Sequence, residues 1–455
     1  MPSETPKSIL IIGSGVFGLS TAYALATRPD FQESKITLLE RLPFPAPDGA
    51  SIDTSRIVRA DYADAAYTRL MDEGHKIWRS DFGADGRYTE SGLCIVTDDG
   101  DETGDGAANQ YMVKAMENVS QKLGLRIGRR EDGGQVEPLE SAEDVRRVMK
   151  TMGGDCGQKG YVNWSAGWAD AEAAMRYMRL QAQGTGRIEF QTAEVQRLHF
   201  LDDRVKSVEV AGGEKLQADL IVLATGAWTP KLIDLRGVAS ATGQVLAYVE
   251  LTQQEQDRLG PNPTLLCETN GMFIIQPRDR ELKVARHGYG YANPTRIPHP
   301  ERPESGETIT VSLPYTGVND PKLNIPAEGD KACRDFLART IPDLASRAWT
   351  HTRICWYSDT PKGDWLIDYH PCYQNLLVAT GGSGHAYKFL PVIGERIVDI
   401  VQKVDRDELG AELRSKWSWP KEKFADDHVW TNDWRGGRKG MILQDEMRVG
   451  AGSKL

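Results

Sequence analysis

The sequence predicts an α/β chain in which a nucleotide-binding domain is interleaved with an antiparallel-sheet domain. Three observations predict it. An apolar run of strand length, SILII at 8–12, leads into GSGVFG and then a stretch of helical propensity. A second strand-to-glycine element, DLIVLATGAWTP with Gly226, returns much later in the chain. Between and after these two, alternating apolar and polar residues recur at 187–223 and about 244–290, the period of strands with one buried face.

At 455 residues the chain exceeds one ordinary core, and 40% hydrophobic residues suffice for two or three. With 65 acidic against 55 basic residues the formal charge is −10, which argues against nucleic acid as a partner. Six cysteines (94, 156, 267, 333, 355 and 372) show no CxxC pair, so neither a disulfide framework nor a metal centre is expected. The N-terminal MPSETPKS is polar and no apolar run approaches a membrane span, giving the expectation of a soluble, non-secreted protein without membrane contact. The last residues, GAGSKL, end in Ser453, Lys454 and Leu455, a receptor-read peroxisomal address. A peroxisomal location and an import receptor as partner follow as expectations.

In chain order, 8–12 and KITLLE at 35–40 read as strands flanking the helix LSTAYALATR, one βαβ unit. PFPAPDGAS is a loop and 66–80 a helix. The acidic run 98–107 reads as a solvated loop, and 110–150 as two helical stretches around GLRIGRRED. Residues 187–223 read as a strand meander ending in a buried parallel strand, 330–340 as a helix, and 376–402 as strand, glycine-rich turn and helix. From about 405 the chain is polar, with Trp417, Trp419, Trp430 and Trp434 pinning it to the body.

The turn holding Gly13, Gly15, Val16, Phe17 and Gly18 is a GxGxxG in the context its mechanism requires. Its glycines allow the tight turn, the close approach of backbone to a pyrophosphate and the packing of helix on strand, while helix-start amides face the phosphates. Glu40, ending the second strand, can accept from ribose hydroxyls. This is a Rossmann-type site. The turn alone does not separate NAD from FAD; the return of the chain at Gly226 favours FAD.

Seven separated stretches, IIGSGVFGLSTAYAL, DTSRIVRADYAD, GYVNWSAGWADAE, IVLATGAWTP, ELKVARHG, RICWYSDTPKGDWLID and GGSGHAYKFLPVIGE, make residues 8 to about 400 resemble the sarcosine-oxidase-like flavin amine oxidases. The fungal branch of that family includes saccharopine, pipecolate and fructosyl amino acid oxidases. The resemblance implies a D-amino acid oxidase/sarcosine oxidase-like fold, with FAD-binding segments 1–90, 155–235 and 345–405, substrate-domain segments 91–154 and 236–344, and a tail at 406–455. It also implies that Cys355, in its Cys-x-Tyr-x-x-Thr-Pro setting with Tyr357, Thr360 and Pro361, bonds covalently to the flavin, where a thiolate is the attacking species. Lys283 matches the lysine that activates oxygen, and Arg59 with Lys388 the pair that grips a substrate carboxylate. Arg56 is expected beside the flavin, and Gly384 and Lys388 in its last binding turn. His287, four residues after Lys283, reads equally as a structural or a catalytic histidine.

The reading that results is an oxidase of N-substituted amino acids that forms an imine and reduces O2 to H2O2. It takes a small amino acid and O2 as its partners and is expected to be monomeric. Saccharopine leads among substrates because IDTSRIVRADYAD most resembles that branch, with pipecolate, sarcosine-like and secondary-metabolite amines behind it. Fructosyl amino acids rank lower, because Arg56, Arg59 and His287 depart from that subgroup's pattern. The rival of a different class is a flavin dehydrogenase that passes electrons to a carrier.

Overall fold

The computed structural model describes residues 5–98, 106–422 and 428–452. Two large sheets organise it. The first has six strands in the order Leu366–Tyr369, Leu376–Thr380, Leu220–Leu223, Ser8–Ile12, Lys35–Glu40 and Ile188–Thr192, parallel except for the Leu366 edge. Its central strands are covered on both faces and so read as unbroken apolar runs: all four residues of Leu220–Leu223 are buried. Ile9 and Ile11 face the helices Val16–Thr27, Ala171–Gly184 and Ile393–Gln402, while Leu10 and Ile12 face a small three-stranded meander spanning 195–216. Chain reversal between the layers is local, since Arg28 caps the first helix with its backbone and the strand resumes at Lys35.

The second sheet has eight strands in the order His351–Asp359, Ser240–Glu250, Glu281–Arg286, Met272–Arg278, Thr264–Cys267, Leu93–Thr97, Lys159–Asn163 and Val136–Leu139. Every neighbour pair is antiparallel except Thr264–Cys267 with Leu93–Thr97. One face of its longest strand, through Val245, Ala247 and Val249, enters a core with Ile354, Trp356 and the helix Ala327–Thr340. The other face carries Leu246 and Tyr248 together with Ala285 and Cys355.

Lys159–Asn163 and His351–Asp359 lie in the eight-stranded sheet, within the segments 155–235 and 345–405 expected to bind FAD. Both are the last strands before the chain crosses over, so composition carries no mark of the change. Within 110–150, helices Ala107–Leu123 and Ala142–Val148 flank an unexpected strand, Val136–Leu139. Pro138 masks it: proline is tolerated there because the strand is an edge, where a missing N–H breaks no second ladder.

The tail from 405 is more than a pinned appendage. Helix Glu408–Trp417 buries Trp417 completely, stacked on Trp365 at 4.9 Å and donating to Tyr67 Oη at 3.1 Å. Trp419, Trp430 and Trp434 are half-buried. Gly436 and Ile442 then form bridges with Gly288 and Ala292, which brings the buried Arg435 beside the second sheet. Most of the acidic run (99–105) and the terminal Ser453-Lys454-Leu455 lie outside the described residues. No described helix is long and apolar enough to cross a membrane.

Candidate active site

One continuous cleft runs between the sheets, from the first glycine turn to Lys388. At its first end lie Gly13, Gly15, Val16, Phe17, Glu40 and Gly226. Gly13 has φ +98°, and a Cβ there would sit 2.5 Å from the Ala224 carbonyl oxygen, so only glycine lets this turn reach the neighbouring strand. Gly18 does not line the cleft. It lies where a Cβ would stand 1.9 Å from Gly13 O, at the contact of helix with turn. No side chain caps helix Val16–Thr27, and Val16 N donates to Ser51 Oγ at 3.0 Å. Glu40 accepts from Ser14 N and Oγ at 2.9 and 2.8 Å, which orients its carboxylate at the cleft wall. These residues fit an extended dinucleotide: backbone free of side chains, a helix start and a carboxylate.

At the second end, strand alternation does the positioning. Gln244, Leu246 and Tyr248 stand opposite Cys355, Arg353 and His351 on one side, and Leu246 and Tyr248 stand opposite Ala285 and Lys283 on the other. All therefore share the cleft face, with Tyr357 and His287 two residues along. Cys355 is buried and Arg56 Nη2 approaches its sulfur to 3.7 Å. Lys283, also buried, donates to Asp53 Oδ2 at 2.6 Å and Ser55 O at 2.9 Å. Asp53 further accepts from Tyr248 Oη at 2.6 Å and pairs with Arg56. Burial opposes its charge, but Lys283, Arg56 and Arg353 outweigh that and hold the carboxyl far below its usual range. Burial also pulls Lys283 down to about 8, against the pull of Asp53.

Beyond Lys283 the cleft becomes a chamber containing Arg59, Lys388, His287, Glu268 and Tyr357. Arg59 donates to Asp61 O at 2.6 Å and lies over the rings of Tyr62 and Tyr111. Lys388 Nζ donates to Tyr62 Oη at 2.6 Å and His385 O at 2.9 Å. The His385 tautomer follows from its partners: Nε2 lies 2.9 Å from the Gly363 carbonyl and must carry the proton, so Nδ1 accepts from Tyr62 Oη at 3.0 Å. Among the described residues neither Arg59 nor Lys388 makes an ion pair. Burial, then the neighbouring Arg59, pushes Lys388 well below its usual value. Two basic side chains brought together here without an ion-pair partner among the described residues can receive a carboxylate. His287 is half-buried, 3.5 Å from Tyr357 Oη, and is kept neutral by burial and by Arg435 and Arg59. Gly384, at φ +71°, leaves no room for a side chain, since a Cβ would meet the Tyr357 ring at 2.3 Å.

The cleft thus brings together the candidate catalytic and cofactor-binding residues except Gly18, while Thr360 and Pro361 of the cysteine motif do not line it. Several others were not foreseen. Asp53 sits inside the DTSRIVR motif, and its spacing of three from Arg56 was a readable signal. Glu268, Tyr62, Tyr111 and Arg435 carried none: each is a common polar residue whose role comes from where distant chain segments meet.

Residues 8–400 match the family described as FAD dependent oxidoreductase. The chain is 32% identical to amino acid oxidase imqH of Aspergillus flavus, over 91% of this chain and 98% of that one. It is 29% identical to the L-saccharopine oxidase of Schizosaccharomyces pombe, over 93% and 95%. Among solved structures, fructosamine oxidase (Amadoriase II) of Aspergillus fumigatus superposes with TM-score 0.77 at 26% identity, covering 96% of this chain and 95% of that one.

Proposed function

The chain belongs to the FAD dependent oxidoreductase family, and from that premise we propose that it is an oxidase of N-substituted L-amino acids, with L-saccharopine the leading single substrate. The observation that carries this reading is the pair of basic side chains, half-buried Arg59 and buried Lys388, neither of which has an ion-pair partner among the described residues. A substrate α-carboxylate supplies that partner. Its amine-bearing carbon is then directed toward the cleft face that holds Lys283 and Cys355.

Bound FAD would supply the acceptor for the two electrons lost as the substrate's CH–NH becomes an imine, and would pass them to oxygen to give peroxide. The chain's own residues do the rest. Arg59, packed against the rings of Tyr62 and Tyr111, and Lys388 fix the acid end, and neutral His287 and His385 leave the substrate amine without a competing cation on their side. Arg56 holds the Cys355 sulfur for attachment of the cofactor. Lys283 presents an ammonium where negative charge develops on oxygen.

The test is peroxide formation in air from a panel of secondary amino acids that includes saccharopine, pipecolate and fructosyl-glycine, each compared with the amine lacking its carboxylate. The parent acids are expected to turn over and the decarboxylated amines to be poor substrates. Arg59→Ala is expected to weaken acid binding by about 2–5 kcal/mol, with only partial recovery in Arg59→Lys because an ammonium cannot reproduce the fork. Equal turnover of acids and their decarboxylated amines removes the basis of the proposal.

A further inference from the structure

Glu268 follows the strand Thr264–Cys267 and shares a side with Leu266, which also lines the cleft, while Cys267 between them points into the opposite core. It is 4% exposed, and its carboxylate has no hydrogen-bond partner among the described residues. Its neighbours differ. The buried carboxylate of Asp61 accepts from Tyr161 Oη and Asn163 Nδ2, and that of Asp53 from Lys283 and Tyr248. A buried acceptor left open costs stability unless something enters to satisfy it. Burial raises the Glu268 carboxyl to about 7, with Arg59 and Arg435 drawing it down and Asp433 and Asp61 pushing it up. It therefore faces the chamber near the cations that bind the acid, yet is paired with neither.

We propose that Glu268 is a specificity-determining residue, accepting a hydrogen bond from a donor, ammonium or hydroxyl, carried on the substrate side chain away from the carboxylate held by Arg59 and Lys388. This rests on the oxidase reading for the placement of the acid end. It deepens that reading by excluding purely aliphatic side chains as preferred substrates. A substrate lacking the donor leaves the carboxylate unsatisfied in a site from which it has itself displaced water, and such a site discriminates strongly.

The test uses FAD-loaded enzyme and three parallel ligand series of about five to seven carbons, ending in methyl, hydroxyl or ammonium. In the binding arm the amine is replaced by a methylthio group, so that no oxidation to an imine occurs, and affinity is read by calorimetry. In the turnover arm the same acids carry an Nα-methylamino group, and peroxide is read. At the best chain length the donor-bearing ligands are expected to bind about ten-fold or more tighter than the methyl ligand. Glu268→Leu is expected to abolish that ratio, and Glu268→Gln to spare the hydroxyl preference while losing the ammonium preference. A wild-type preference for methyl, or a donor preference that survives in Glu268→Leu, overturns the assignment; if the leucine variant fails to fold, unchanged ammonium preference in Glu268→Gln overturns it equally. Expected binding ratios without peroxide from any acid sink the oxidase reading and leave Glu268 assigned. Peroxide with ratios indifferent to Glu268 does the reverse.

Discussion

Asp53 is the residue through which the electrostatics of the cleft are coupled, because it alone meets Lys283, Arg56 and Tyr248. Its carboxylate makes the burial of Lys283 tolerable: an ammonium enclosed without it would shed its proton at a lower pH still. The sign of the pH dependence follows. Lys283 is charged below about 8 and loses that charge as pH rises through it, so the oxygen half-reaction, measured by rapid mixing of pre-reduced enzyme with O2, is expected to slow above that pH. Lys283→Met should slow oxygen use strongly, remove this pH dependence and leave anaerobic reduction by substrate largely intact. In Asp53→Asn the loss of the opposite charge should move the decline to lower pH. Equal damage to both half-reactions in Lys283→Met would make the lysine a structural group. Arg56 and Tyr248 also face this pair, but Asp53 holds Arg56 charged against the opposing effect of burial, and burial with Asp53 holds Tyr248 neutral across the range, so neither titrates in it.

At the scale of elements, the first helix is set by its contact with Ile393–Gln402. Gly394 donates its N–H to Ser20 Oγ at 2.8 Å, and that hydroxyl donates on to Leu390 O. A Cβ on Gly394 would stand 2.0 Å from the backbone oxygen of Ser20, a collision that no side-chain rotation relieves. Gly394→Ala is therefore expected to cost about 1–3 kcal/mol in chemical denaturation and to loosen nucleotide binding by tilting the helix that carries the glycine turn. Gly184→Ala, at the exposed end of helix Ala171–Gly184 with nothing near its Cβ, should be neutral or stabilising by up to about 1 kcal/mol. Similar losses in both would mean that the packing plays no special part. The helices Val16–Thr27 and Ile393–Gln402 and the parallel strands were legible in the sequence because each announces itself within a dozen residues, by an apolar run, a glycine turn or a helical stripe; the helix Ala171–Gly184 was not read. The strand Val136–Leu139 was not, since its proline contradicts its neighbours and only its edge position excuses it. The face assignment of Cys355 was half legible: alternation puts Cys355 and Tyr357 together and Ile354 with Trp356 apart, but which pair faces the cleft depends on the partner strand Ser240–Glu250. Glu268 and Arg435 were beyond reach, because each owes its place to segments far away in sequence.

For the molecule as a whole, the cleft lies between two sheets whose strands alternate along the chain, and a bound dinucleotide would touch both. Gly13, Glu40 and Gly226 belong to the six-stranded side and Cys355 and Lys283 to the eight-stranded side. A ligand bridging them stabilises the native state by mass action, by about 2.7 kcal/mol at a hundred times its Kd, as long as it can dissociate. A covalent tether changes that dependence. If Cys355 attaches the flavin, the loaded wild-type protein should melt at a temperature indifferent to added FAD, and its acid-precipitated pellet should stay yellow. Cys355→Ala should release the colour and melt at a temperature that climbs with FAD concentration, because the same bridge is now subject to dissociation. The thiol itself makes only a modest packing contribution, in a small cluster with Leu246, Tyr248 and Ala285, so the two proteins should converge at saturating FAD. A wild-type melting temperature that rises with free FAD, or a colourless pellet from loaded protein, would show that the cofactor is held by the cleft alone and that Cys355 only fills space.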